Sequence, residues 1–264
     1  MKFVEHKGKQ IAYSKEGKGV PLVFIHGFCE DSRVWDEFIE RFVDWCKIIR
    51  IDLPGFGQSE VQPGASIADM AEGVNTVLEY LKIDQFFLIG HSMGGYVSLA
   101  YAEQYASNLM GLCLFHSQPY ADSAEKKQGR QKGIDFIRRI GHTLYVKQLI
   151  PALFSKDFAS DHQMLIEKLS FRANQYDSAG IIGGLEAMKN RPDRSEVLRQ
   201  LSCPVLFIVG KEDGAIPTSA SLEQLYLPEV ASIHLLPRVG HMGMFEATKK
   251  CYLIIKNFVE FCQA

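Results

Sequence analysis

The apolar positions of this chain fall into two rhythms. Short apolar runs at residues 3–6 and 10–14, parted by Lys7-Gly8-Lys9, predict a β-hairpin. Further runs at 21–25, 48–51, 86–89, 112–115, 204–209 and 232–236 are nearly continuous in Val, Ile, Leu and Phe, the pattern of strands covered on both faces. Between them, apolar residues recur at helical spacing. One set is Trp35, Phe38, Ile39 and Phe42, with Trp35 read as core; another is Met70, Val74, Val77, Leu78 and Leu81, behind a Ser66 N-cap with Asp69 three residues on. Residues 96–102, 218–225 and 245–261 complete the helical set. Strand alternating with helix implies an α/β fold, with about eight strands in a mostly parallel sheet flanked by helices.

The alternation stops at His116 and resumes near residue 195. In between, Ile134, Ile137 and Ile140, then Leu144 and Leu149, keep helical spacing among many charges. The expected organisation is a single domain, 1–264. Its core comprises 1–116 and 195–264, and 117–194 form a helical insertion after the sixth strand. The basic cluster Lys126, Lys127, Arg130, Lys132, Arg138 and Arg139 reads as a solvated helix face. No internal repeat or low-complexity tract interrupts this plan.

Candidate chemistry gathers at the predicted strand ends. Gly90-His91-Ser92-Met93-Gly94 lies where the 86–89 run turns into a helix, the context of a nucleophile elbow. The glycines leave room for so tight a turn, and the Met93 amide opens a helix N-terminus beside the serine. A serine needs a base and a group to orient that base. Among eight histidines, His241 follows the last strand and so shares the C-terminal sheet edge with Ser92, whereas His234 lies inside a strand run. The loop after the 204–209 run offers Asp213, with Glu212 as a weaker neighbour. His26-Gly27-Phe28, after the 21–25 run, places the Phe28 amide where it can join that of Met93 as an oxyanion hole. His26, Gly27, His91 and His116 are further candidates for the substrate pocket, His91 chiefly as a packing residue.

Composition narrows the classes. With 47% hydrophobic and 23% charged residues and a formal net charge of −2, nothing suggests nucleic acid or an anionic membrane as partner. No apolar run approaches the roughly 20 residues that span a bilayer. The first residues lack the apolar stretch of a signal peptide. Six cysteines without Cys-x-x-Cys spacing read as small buried hydrophobes, and the expected setting is the reducing cytoplasm. No metal or cofactor motif is present: His-Glu-x-x-His is absent, and Gly55-x-Gly57 lacks the third glycine and the acid of a dinucleotide site.

Taken in order, His26-Gly27-Phe28, residues 52–59, Gly90 to Gly95, Pro204-Val205 with residues 210–217, and Gly240-His241 with Glu246 resemble the α/β-hydrolase superfamily. The likeness is to its compact branch with a helical cap between the sixth and seventh core strands, and it covers essentially the whole chain. It implies Ser92 as nucleophile, Asp213 as acid, His241 as base, and the Phe28 and Met93 amides as oxyanion donors. Relatives that open epoxides or displace halide carry a carboxylate at the elbow, so a serine there implies an acyl-enzyme formed from a carbonyl substrate. The expected activity is a serine hydrolase of small to medium carboxylic esters, carboxylesterase-like, acting on a small-molecule partner. The same triad also fits a C–C hydrolase of ring-cleavage products, a thioesterase, a lactonase or a perhydrolase. A ligand receptor with little turnover is the reading from another class. The preferred substrate and the oligomeric state are not written in these motifs.

Overall fold

The computed structural model describes residues 1–264. One eight-stranded sheet runs through it, in the order β1-β2-β4-β3-β5-β6-β7-β8. The strands are β1 (Lys2–His6), β2 (Lys9–Gly17), β3 (Val20–Ile25), β4 (Cys46–Ile51), β5 (Phe86–His91), β6 (Leu109–Phe115), β7 (Val205–Gly210) and β8 (Ala231–Leu236). The β1–β2 and β2–β4 pairs are antiparallel, and every pair from β4 to β8 is parallel. As the continuous apolar runs predict, β5 and β7 are buried along their whole length, while β8 at the edge is only half-buried.

The helices are α1 (Asp36–Ile39), α2 (Ile67–Leu81), α3 (Met93–Tyr105), α4 (Ala124–Ile140), α5 (Thr143–Ala152), α6 (Lys156–Asp161), α7 (Gln163–Ala173), α8 (Ser178–Asn190), α9 (Ser195–Gln200), α10 (Thr218–Glu223), α11 (Gly243–Glu246) and α12 (Thr248–Gln263). α2 begins as its sequence demands. The Ser66 hydroxyl accepts from the Asp69 amide, Asp69 answers at the Ser66 amide, and Lys82 closes the helix in a left-handed conformation. Two elements differ from the periodicity. The Trp35–Phe42 stretch, expected as one helix, is a 3₁₀ turn (Ser32–Trp35) followed by the single turn of α1. Its aromatic residues pack on Phe24 of β3 regardless, and Trp35 is fully buried. The last helix is broken at Ala247 into α11 and α12, because Glu246 is drawn back to hold the preceding loop.

Chain order reverses at β3, with β4 on one side and β5 on the other. In open parallel sheets such a switch point opens a crevice at the strands' C-terminal ends. Ile25 lies opposite Gly90 in the register, so the loop after β3 and the turn after β5 emerge side by side. Helices α4 to α8 stand over this edge, with α4 packed on α8 and α5 on α7. Their apolar residues, such as Ile134, Val146 and Ile181, belong to the same continuous core as the sheet. No helix is long and apolar enough to cross a membrane.

Candidate active site

Ser92 sits between β5 and α3 with φ +51° and ψ −114°, a conformation that costs a non-glycine residue free energy and persists only where its surroundings enforce it. Enforcement comes from close approach. A Cβ on Gly94 would stand 2.5 Å from the Ile25 carbonyl oxygen, and one on Gly90 would meet the Gly94 backbone and Ser98. The turn thus presses α3 against the end of β3, which is possible only without side chains at 90 and 94. Ser92 Oγ has no hydrogen-bond partner within the protein and faces a cavity of about 320 Å³ that His241 also lines.

His241 and Asp213 are joined by a 2.7 Å contact from Nδ1 to Oδ2. The other carboxylate oxygen accepts from the amides of Ala215 and Ile216 at 2.8 and 2.9 Å. Burial opposes ionisation of Asp213, but His241 and His116 overrule it and hold the carboxyl well below the usual range. For His241, burial would lower the pKa, but Asp213 outweighs it and the net shift is upward. Both directions describe the same thing: an imidazolium here is stabilised by a carboxylate that stays charged.

The backbone of His241 is fixed at several points. Its amide donates to Leu153 of α5's C-terminal turn at 2.7 Å, and its carbonyl accepts from His91 Nε2 at 2.9 Å. Glu246 takes the flanking amides of Gly240 and Met242, together with that of Ser155 from the helical segment. His91 therefore packs against His241 and helps to fix that backbone. Because its Nε2 must donate to a carbonyl, the 3.0 Å contact between its Nδ1 and Glu30 Oε2 is bridged by one proton. Burial raises the Glu30 carboxyl's pKa, but His91 outweighs it and the net shift is downward.

Glu30 Oε2 also accepts the Gly27 amide at 2.7 Å, while the Gly27 carbonyl contacts His26 Nδ1 at 2.7 Å. The far nitrogen of His26 accepts from the Leu53 amide, so its proton lies on Nδ1. That carbonyl belongs to the same planar peptide as the Phe28 amide, so pinning one end aims the other. The arrangement repeats at the elbow. Ser117 Oγ donates to the Ser92 carbonyl at 2.8 Å, in the peptide unit that carries the Met93 amide. Neither the Phe28 nor the Met93 amide has a partner within the protein. The region is a pair of aimed, unspent donors beside a serine. The stretch from Asp52 to Ser59 is the tight turn expected: Asp52 accepts the amides of Ser32 and Gln58, and the turn holds Leu53 against His26.

The structure thus brings together Ser92, Asp213, His241, Phe28 and Met93. None of His26, Gly27, His91 or His116 lines the cavity; they form a layer behind it. His116 accepts from the Gly210 amide through Nδ1 at 3.1 Å and packs behind Asp213, with Nε2 buried and unpartnered. Burial lowers its pKa, in keeping with a neutral ring. His116, Asp213 and His241 offer three ligand-type atoms within 4.8 Å, but those donors are spent on one another and on Gly210. Sequence reasoning missed Glu30 and Ser117, whose partners lie far away along the chain. It also read the whole basic cluster as solvated. In the structure Lys127, Lys132, Arg138 and Arg139 are exposed, whereas Lys126 and Arg130 are half-buried and line the cavity.

A parallel sheet with a serine elbow and a bonded Asp–His pair at its C-terminal edge defines a class. Residues 20–248 match the family model described as alpha/beta hydrolase fold, and the chain belongs to that family. Among solved structures it is similar to a thermophilic esterase from Thermogutta terrifontis with malate bound, at 28% identity and TM-score 0.94, covering 100% of both chains. The enol-lactonase of Burkholderia xenovorans LB400 has the same fold, at 19% identity and TM-score 0.91, with 98% of this chain and 100% of that one covered. In sequence it resembles 2-succinyl-6-hydroxy-2,4-cyclohexadiene-1-carboxylate synthase of Escherichia coli K12, 27% identical over 244 residues, 87% of this chain and 90% of the relative.

Proposed function

We propose that the protein is a serine hydrolase of small to medium carboxylic esters, working through an acyl-enzyme on Ser92. The observation that carries this reading is the cavity lined by Ser92, His241 and Phe28, with Asp213 bonded to His241 and the unspent Met93 amide next to Ser92 in the chain. Ser92 Oγ attacks the ester carbonyl as His241 Nε2 takes its proton. Asp213 holds the ring through Nδ1 and stabilises the imidazolium. The Phe28 and Met93 amides receive the oxyanion, and His241 returns the proton to the departing alcohol. Water then repeats the sequence on the acyl-enzyme. The helical segment 117–194 acts as a cap that supplies the cavity's outer wall. Similarity to the Thermogutta esterase supports the ester reading. Similarity to the E. coli synthase supports a second one, in which the same base works on a carbon acid.

The test is initial rates on p-nitrophenyl esters from acetate to long acyl chains, beside Ser92→Ala. The expected result is a maximum at a short or medium chain and a loss of about 10⁴- to 10⁶-fold in the variant. Equal rates in both proteins would overturn the reading. Inactivity on esters with turnover of a carbon-acid panel would favour the second one, and tight ligand binding without turnover would favour a receptor.

A further inference from the structure

We propose that the substrate carries a free carboxylate, recognised in the cavity by Lys126 with Arg130 beside it. The proposal rests on the hydrolase reading of the same cavity and goes beyond it by naming the substrate's charge.

Lys126, Gly129 and Arg130 occupy successive positions on one face of α4 and all line the cavity that contains Ser92 and His241. Gly129 contributes no side chain between the two cations, and a Cβ there would meet nothing within 4 Å. The surrounding charges do not cancel. Asp122, its side chain fully buried, is the anion of this corner, and it is committed to both Arg130 and Arg191. Arg191 in turn lies 3.9 Å over the ring of Tyr96, which also lines the cavity. Two cations therefore share this one carboxylate, and Lys126 is a third cation without any. Lys126 Nζ has neither an ion-pair nor a hydrogen-bond partner in the protein, although the residue is only partly exposed. Glu30, on the opposite wall, is held by Gly27 and His91.

A lysine that merely solubilises a helix behaves like its neighbour Lys127, which is exposed. Lys126 instead loses water to the cavity wall, and burial lowers its pKa. An ammonium in that position gains most from an anion delivered with the substrate, because part of its own desolvation cost is already met by the fold. The apolar remainder of the cavity, including Phe28, Leu149 and Leu153, suits the chain that links such a carboxylate to the ester carbonyl.

The test compares p-nitrophenyl hemisuccinate with p-nitrophenyl butyrate, which are close in length and differ in charge. The expected kcat/KM ratio favours the hemisuccinate by about tenfold or more, mainly through KM. In Lys126→Met the ratio falls toward one, and in Lys127→Met, one position round the same helix, it stays at the wild-type value. A wild-type ratio of one or below, with butyrate still cleaved in a Ser92-dependent way, overturns the carboxylate proposal and leaves the hydrolase reading standing. If neither ester is cleaved, calorimetric titration of Ser92→Ala decides. Monomethyl glutarate binding more tightly than dimethyl glutarate, with the difference lost on adding Lys126→Met, upholds the proposal. Equal binding of the two, or none, sinks it.

Discussion

On the floor of the cavity nearly every polar group near Ser92 is held by a partner at another strand end. His26 holds the peptide that carries the Phe28 amide, Glu30 the peptide before it, Ser117 the peptide that carries the Met93 amide, and His91, Glu246 and Leu153 hold the loop of His241. The roof, built from α4 to α8, is joined differently. It is bound into the core mainly by apolar packing and by the close approach of Gly180 to Gly55, with a few polar ties: Tyr176 to Asp31, the Leu153 carbonyl to the His241 amide, and the Ser155 amide to Glu246. There Lys126, on the cavity wall, has no partner at all. The contrast matches a division of labour. Charge that develops in a transition state is stabilised by donors that need not move when it appears. Groups that choose a substrate gain most when their partner arrives with it.

On the proposed mechanism, the floor is broken most completely by removing the charge bonded to His241. Asp213→Asn leaves the side chain's shape intact but offers His241 Nδ1 a neutral partner and permits the wrong tautomer. The expected loss in kcat is about 10⁴-fold with KM little changed, read from steady-state kinetics on the best p-nitrophenyl ester. A loss below tenfold would mean that Asp213 does not orient the base. Next come the pinned peptides. His26→Ala frees the peptide that carries the Phe28 amide, and Ser117→Ala removes one of three donors to the Ser92 carbonyl, the Gly95 and Tyr96 amides being the others. Losses in kcat of about 100-fold and about 10-fold are expected, because a misaimed donor forfeits much of what it contributes to the oxyanion. His26→Asn, which can still donate to the Gly27 carbonyl, should recover part of the loss. Unchanged kcat in both alanine variants would show that these amides are aimed by something else.

The pH profile sharpens the same point. His241 acts as base only when neutral, and its pKa is raised by Asp213. The acid limb of kcat/KM should therefore have its midpoint above 6.5, falling tenfold per pH unit below it. In Asp213→Asn the largest raising influence is lost, burial is opposed only by Glu30 and Glu246, and the midpoint should move down. The stability linkage has two signs. The raised His241 contributes fully below its unfolded value of 6.5 and loses that contribution as pH rises through the folded value. The depressed Asp213 contributes above 3.8 and loses it as pH falls through its lower folded value. The gap in denaturation midpoint between wild type and Asp213→Asn should therefore be widest between pH 3.8 and 6.5 and narrow on either side.

This division also explains what could be read from the chain. The sheet and its floor were legible because each strand is a local apolar run and each candidate residue stands next to one. Ser92, Asp213 and His241 all follow strands directly, and the sheet alone brings their ends together. Ser117 was within reach of the same logic, since it stands two residues beyond the end of β6. Glu30 was not: its partners, Gly27 and His91, become meaningful only once β3 and β5 are side by side. In the roof, periodicity identified helices but could not say which face turns inward. Lys126 and Lys127 are adjacent and chemically identical, yet one lines the cavity and the other meets solvent. That difference depends on how α4 is rotated against α8, a property of packing between elements more than 40 residues apart.

The smallest expected effect probes one side-chain tie between roof and floor. Tyr176, at the end of α7, donates to Asp31 Oδ2 at 2.6 Å, and Asp31 is otherwise bound to Arg33. Burial opposes ionisation of Asp31, but Arg33 and Tyr176 hold its pKa at about 2, so the tie is a charge-assisted bond at neutral pH. Tyr176→Phe keeps the ring's packing on Phe56 and removes only the hydroxyl. The expected cost is about 1–2 kcal/mol, a fall of a few degrees in Tm by calorimetry, with kcat on a neutral ester within about twofold of wild type. Because the roof shares its apolar core with the sheet, a single cooperative transition should persist. Two separated transitions in the variant would show instead that this bond, and not the continuous core, couples the helical segment to the sheet.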